Sequence, residues 1–287
     1  MTITQFGVAG RFYECPRWHD GRWWLSDMRD HAVLSFSADG ARREEARLSG
    51  RAGGIGWLPD GDLLVVAMDE RQVLRRRAGG GLEPWADLAA LCGDTAGFLN
   101  DMVVSAGGHA YVGFDADYRL YPDRGLLIRV DPAGRASVAA RDMAMPNGMM
   151  FTPDGRSLIV AETMSTRFSQ FSIAADGTLG DRRIWGDLAG RIDRRPAGRM
   201  PLPAERVALD GCTLDAEGHI WVADVRSTCL RVAPGGEIVD SVDLPDGLIA
   251  FACALGGADG RTLLVCGAND QREASRLFTT RVPVGAA

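Results

Sequence analysis

Four oxygen-bearing side chains, Glu14, Asn100, Asn147 and Asp210, fall at equivalent positions of a repeating pattern although they are spread over 196 residues. Each stands seven or eight residues before a turn glycine, and Asp101 follows directly on Asn100. Brought to one point, two carboxylates and two amides make a poor core, because like charges and unpaired polar groups are costly to bury. A bound divalent cation removes that cost. An all-oxygen set suits Ca²⁺, Mg²⁺ or Mn²⁺ by hardness, with Fe²⁺ and Zn²⁺ as further options. Taken singly, Pro146-Asn147-Gly148 and Leu209-Asp210-Gly211 are also good turn sequences. The shared register of four such positions favours the ion.

Those positions need a scaffold that repeats. An apolar stretch, a turn centred on glycine and a second apolar strand ending near an acid return six times between residues 18 and 269. The turn glycines are Gly21, Gly61, Gly108, Gly155, Gly218 and Gly260, spaced 40, 47, 47, 63 and 42 residues apart. A tight hairpin needs positive φ there, which glycine adopts without steric cost. Each of the first five copies leaves room for two more strands around a second turn, such as those at Gly40 and Gly134. Four strands per unit of about 45 residues, six times over, predict an all-β fold. The expected architecture is a six-bladed β-propeller of four-stranded antiparallel blades, one domain over residues 1–287. The sixth copy lacks a fourth strand, and residues 4–8 are expected to supply it and close the ring, which removes exposed edges. The first strand of each blade then lines the central channel, with its start at one mouth. Residues 86–99 and 187–208 are expected as loops over one face.

Composition excludes several chemistries. All 32 basic residues are Arg, so Schiff-base, pyridoxal and Walker-loop chemistry, which need a lysine amine, are ruled out. The formal net charge of −6 argues against a nucleic-acid partner. The six cysteines form no C-x-x-C pair, and His19, His31, His109 and His219 lack the spacing of a zinc helix motif. No G-x-S-x-G elbow is present. The first ten residues show no signal-peptide pattern and no apolar run reaches about 18 residues, so no membrane partner and a cytoplasmic location are expected. The oligomeric state has no sequence signal.

The motifs Glu14-Cys15-Pro16-Arg17-Trp18, Asn100-Asp101-Met102-Val103-Val104, Pro146-Asn147-Gly148-Met149 and Asp210-Gly211-Cys212 occur in that order. In combination they resemble the SMP-30/gluconolactonase family of six-bladed propeller lactonases, over nearly the whole chain. The resemblance implies one divalent metal ion, Ca²⁺, Mn²⁺, Zn²⁺ or Fe²⁺, held by Glu14, Asn147 and Asp210. It implies substrate contacts from Asn100 and Asp101, and hydrolysis of a small-molecule lactone or ester. For the general base the resemblance favours Asp210, with Asp101 as the alternative, and a metal-bound hydroxide would need neither.

The chain departs from that pattern at three places. Phe98 stands where sugar lactonases often carry an Arg, Cys15 replaces the usual Gly after the metal Glu, and Gly113-Phe114-Asp115 replaces a Gly-Thr-Met stretch. Phe98 and Phe114 are candidate substrate contacts, with Tyr118 and Met164 as weaker ones. A pocket without donors selects less for hydroxylated substrates, which points to a lactone or ester less polar than an aldonolactone. Asp27, Asp69, Asp115, Glu162 and Asp224 end the second strands and read as caps and loop anchors, one or two of them supporting the site. Two other readings remain: a non-hydrolytic biosynthetic propeller related to strictosidine synthase, and a binding propeller with a structural Ca²⁺.

Overall fold

The uninterrupted apolar run Leu63–Ala67 and the run Ala110–Ala116, apolar but for Asp115, form second strands, and every residue of both is buried. A strand covered on both faces needs apolar residues throughout, whereas a half-exposed one alternates. The outer strands are the reverse: Arg42–Arg47 and Ile238–Val242 are mostly exposed. The computed structural model describes residues 1–117, 119–121, 123–189, 207–225 and 228–287.

Six four-stranded antiparallel sheets follow one another as blades 1 to 6, a six-bladed β-propeller. Thr4–Gly10 pairs with Ser275–Arg281, Thr4 opposite Thr279, so blade 6 takes its outer strand from the N-terminal segment as expected, two residues longer than anticipated. The six turn glycines all have positive φ, between 66° and 88°.

The apolar core lies between blades. Leu25, Leu34 and Phe36 of blade 1 pack with Ala252, Leu264 and Leu277 of blade 6, while Val33 and Leu48 pack with Ile55 and Val65 of blade 2. Burying one such side chain contributes roughly 1.5–3 kcal/mol, so each blade is stabilised chiefly by its neighbours.

The inner strands are Tyr13–His19, Ala52–Trp57, Gly97–Val104, Pro146–Phe151, Leu209–Leu214 and Ile249–Gly256. Each breaks register once: between Glu14 and Arg17, Ala52 and Ile55, Leu99 and Met102, Pro146 and Met149, Leu209 and Cys212, and Ala250 and Ala252. A bulge releases residues from the ladder and re-aims their side chains. In blades 1, 3, 4 and 5 it falls on or beside Glu14, Asn100, Asn147 and Asp210. Residues 86–99 contain a one-turn helix, Ala89–Cys92, while the loop expected at 187–208 lies mostly outside the described residues. No described helix is long and apolar enough to cross a membrane.

Candidate active site at the channel mouth

The inner-strand bulges open onto a cavity of about 130 Å³. Glu14, Asn100, Asn147 and Asp210 all line it, and none is more than 8% exposed. Residues at or just past the end of each second strand form an outer ring: Met28, Met68, Asp115, Thr163 and Val225, from blades 1 to 5. Its two polar members belong to the two blades that present amides. The Asn100 amide donates to Asp115 Oδ2 at 3.1 Å, and the Asn147 amide donates to Thr163 Oγ1 at 3.3 Å. Thr163 spends its own proton on the Leu209 carbonyl at 2.7 Å, so it can only accept from Asn147. Both amides are thereby oriented, each nitrogen reaching the outer ring and that of Asn147 also donating to Asp210, while neither amide oxygen has a partner among the described residues.

The carboxylates repel one another. Burial first, then the charges of Asp210 and Asp101, pushes Glu14 well above the usual carboxylate range. Asp210 is pushed up to about 8 by burial and by Asp101, with Arg272 pulling the other way. Asp115 rises for the same reasons, burial and then Asp210 and Asp101, and its Oδ1 has no hydrogen-bond partner among the described residues. These are the signs of a donor set lacking its countercharge. No three His, Cys, Asp or Glu side chains cluster as a metal site among the described residues. The cavity instead offers two inner carboxylates, Glu14 and Asp210, a third in the outer ring, Asp115, and two oriented amides, a hard oxygen set that fits a divalent cation.

Four of the five strand-end acids do the expected capping. Asp27 accepts from the Phe12 N–H, Asp69 from Arg51, Glu162 from Ala144 and Asp224 from Ala208, at 2.8–3.2 Å. Blade 3 is shifted by one residue. Phe98 pairs with Asp115, and Phe114 with Leu99, which turns the acid to the cavity and the ring away from it.

Phe98 therefore lines the cavity, whereas Phe114 does not: it is 1% exposed beneath the Arg71 guanidinium, in a separate pocket with Leu91 and Leu126. Asp101 is also absent from the cavity wall. It is buried behind it, its Oδ1 accepting from the Cys15 thiol at 2.8 Å. Cys15 sits at φ 54°, a left-handed conformation that favours the glycine expected there. Met164 is not in the wall, which takes Met145 instead, and Tyr118 lies outside the described residues. None of the histidines reaches the cavity. The residues missed from sequence are Phe12, Met145, most of the outer ring and three arginines, Arg29, Arg51 and Arg272. The outer ring carried a signal, since Met28, Thr163 and Val225 each follow a capping acid.

Thr163→Val should leave the fold intact and lower divalent-ion affinity about 10–100-fold, the usual effect of losing a group that orients a ligand. Calorimetric titration reads this. Unchanged affinity would mean that Asn147 keeps its orientation without the hydroxyl.

A family model for the SMP-30/Gluconolactonase/LRE-like region matches residues 12–269. A 6-deoxy-6-sulfogluconolactonase of Pseudomonas putida is 31% identical over 170 residues, 56% of this chain and 54% of that protein. That match spans about half of the relative's length. A pentonolactonase of Haloferax volcanii is 24% identical over 281 residues, 96% of this chain and 88% of the relative. Among solved structures, the calcium-binding protein regucalcin from Agrobacterium tumefaciens str. C58 superposes with a TM-score of 0.76 at 20% identity, covering 98% of this chain and 96% of that one. It shares the fold.

Proposed function

The chain belongs to the SMP-30/gluconolactonase/LRE-like family, and we propose that it is a divalent-metal-dependent lactonase. The observation that carries this reading is the convergence of two mutually repelling carboxylates and two oriented amides in one small cavity. The names of the two sequence relatives, both lactonases, agree with it. Glu14, Asn147 and Asp210 would hold the ion, and the oxygen-only set favours Ca²⁺, Mg²⁺ or Mn²⁺. When bound, the ion supplies a Lewis acid for the lactone carbonyl.

The chain's own groups do the rest. Asn100 presents its amide oxygen to the substrate side of the cavity. Asp210 uses a free carboxylate oxygen to take a proton from the attacking water and return it to the ring oxygen as the ring C–O bond breaks. Water adds at the carbonyl carbon, so the product is a hydroxy acid, which ionises and releases a proton. Phe98, Met28, Met145 and Val225 supply apolar surface to this cavity beside Arg29, Arg51 and Arg272, and that apolar share favours a ring less polar than an aldonolactone. All six cysteines are buried and unpaired, which suits a reducing, cytoplasmic compartment.

The test is proton release from a panel running from D-glucono-1,5-lactone to simple alkyl lactones, using chelator-treated protein with Ca²⁺, Mn²⁺, Zn²⁺ or Fe²⁺ added back. Hydrolysis restored by an ion, fastest on the less hydroxylated rings, is expected. No ion-dependent turnover on any lactone would transfer the site to the biosynthetic or binding readings. Asp101→Asn should retain turnover within about tenfold, because Asp101 lies behind the wall. A loss matching that of Asp210→Asn would make Asp101 the base.

A further inference from the structure

Among the described residues, the rim of this cavity is charged on one side. Arg272 of blade 6, Arg29 of blade 1 and Arg51 of blade 2 line it from three consecutive blades. The described residues of blades 3 to 5 contribute Phe98, Met145 and Val225 there and no cation. Arg51 is already committed: it binds Asp69 at 2.6 Å and stacks on Phe98 at 4.5 Å. Arg29 and Arg272 differ, since no carboxylate among the described residues lies within ion-pairing distance of either.

Arg272 is held in place by other means. Its guanidinium lies over Phe251 at 4.9 Å and over Phe12 at 5.5 Å. Its backbone sits at φ 56°, left-handed and disfavoured for a residue with a Cβ. The turn that imposes this is closed by the Arg272 N–H on the Asn269 carbonyl and by the Glu273 N–H on Asn269 Oδ1, both at 2.9 Å. An aromatic shelf and a strained turn thus fix a cation at the cavity rim. The Arg272 charge reaches Glu14 and Asp210 from there, but a divalent ion would satisfy those carboxylates and leave the guanidinium fork open.

We propose that Arg272 and Arg29 form an anion-binding arc that selects lactones carrying a negatively charged substituent, a carboxylate, sulfonate or phosphate held away from the ring. A planar guanidinium matches such oxyanions bidentately. The apolar wall from Phe98 to Val225 then faces the ring, and the arc faces its charged arm. This inference rests on the lactonase reading and names its substrate class.

The experiment compares kcat/KM for an unsubstituted six-membered lactone with the same ring bearing a carboxylate, a sulfonate or a phosphate, in the ion-loaded protein at low and high salt. The charged rings should be preferred by about tenfold or more at low salt, less at high salt. Which charged ring leads identifies the substituent. In the Arg29→Gln/Arg272→Gln double variant that preference should fall about 10–100-fold, mainly through KM. Arg272→Lys, which keeps the charge but loses the fork, should recover part of it. No preference for charged rings, or an equal loss on charged and neutral rings, overturns the arc while leaving the hydrolase standing. If no lactone is turned over, the hydrolase reading fails, and calorimetric binding of the carboxylate-bearing lactone decides the arc alone. Weaker binding in the double variant supports it, and unchanged binding overturns it.

Discussion

Asp210→Ala should give a folded propeller that neither holds a divalent ion nor opens a lactone, with turnover down roughly 10³-fold or more, the scale of several kcal/mol that a Lewis acid supplies. The same substitution should make the metal-free protein more stable at alkaline pH. Without the ion, burial and the Asp101 charge push Asp210 up to about 8, and Glu14 is raised in the same direction. Between the ordinary carboxylate value near 4 and about 8, the native state keeps a proton that the unfolded chain has shed. Stability of the metal-free protein therefore falls as pH rises through that window. Removing Asp210 removes its share of the slope and also relieves Glu14. A bound cation reverses the balance, because the ionised carboxylates then become ligands, and saturating ion should raise Tm most at the alkaline end. Thermal unfolding at pH 5 to 8, with chelator and with Ca²⁺, measures both effects. A chelated Tm that does not fall with pH, or an Asp210→Ala protein that still binds the ion, would take Asp210 out of the site.

The propeller was legible in the sequence because its signals are local. A glycine at positive φ marks each inner hairpin, and strands buried on both faces appear as unbroken runs such as Leu63–Ala67. The closing strand was legible as a gap, since the sixth copy stopped one strand short. The same repeat acted as a ruler for the inner ring. Equal offsets from equivalent turns become equivalent positions around one axis, so Glu14, Asn100, Asn147 and Asp210 could be grouped despite their separation.

Side-chain direction was less legible, because the bulges interrupt strand alternation where the site begins. Asn100 and Asp101 both lie inside the break between Leu99 and Met102, and only Asn100 reaches the cavity. A single-residue shift in blade 3 separates Asp115 from the capping acids and sends Phe114 to the far side of its strand. Neither event changes composition or spacing enough to be seen in one sequence. Arg272 left no trace for another reason: the turn between second and third strands recurs in other blades, where His31, Arg71 and Thr166 also sit at positive φ, and what sets Arg272 apart is its packing on Phe12 and Phe251, far away in the chain.

The Asn-Gly and Asp-Gly pairs show how a local signal can mislead about cause, and they lead to the second large effect. Gly148 is not at positive φ, so no turn requires it. A Cβ there would meet the Asp210 carbonyl oxygen at 2.5 Å, Cys212 Sγ at 2.6 Å and the Cys212 nitrogen at 2.7 Å. Two of those atoms are backbone of the neighbouring inner strand and cannot swing aside. They also flank the bulge that presents Asp210. Gly148→Ala should therefore cost about 1–3 kcal/mol as overpacking and displace Asp210, lowering ion affinity by about tenfold or more. Gly155→Ala is the matched comparison. Nothing lies within 4 Å of a Cβ at that position, but φ is 66°, so it should cost about 1 kcal/mol in backbone strain and leave ion affinity unchanged. Urea unfolding and calorimetric titration on the two variants separate strain from crowding. If Gly148→Ala bound the ion as the parent does, the close approach of blades 4 and 5 would not be what positions Asp210. The carboxylate would then owe its place to its own bulge, between Leu209 and Cys212.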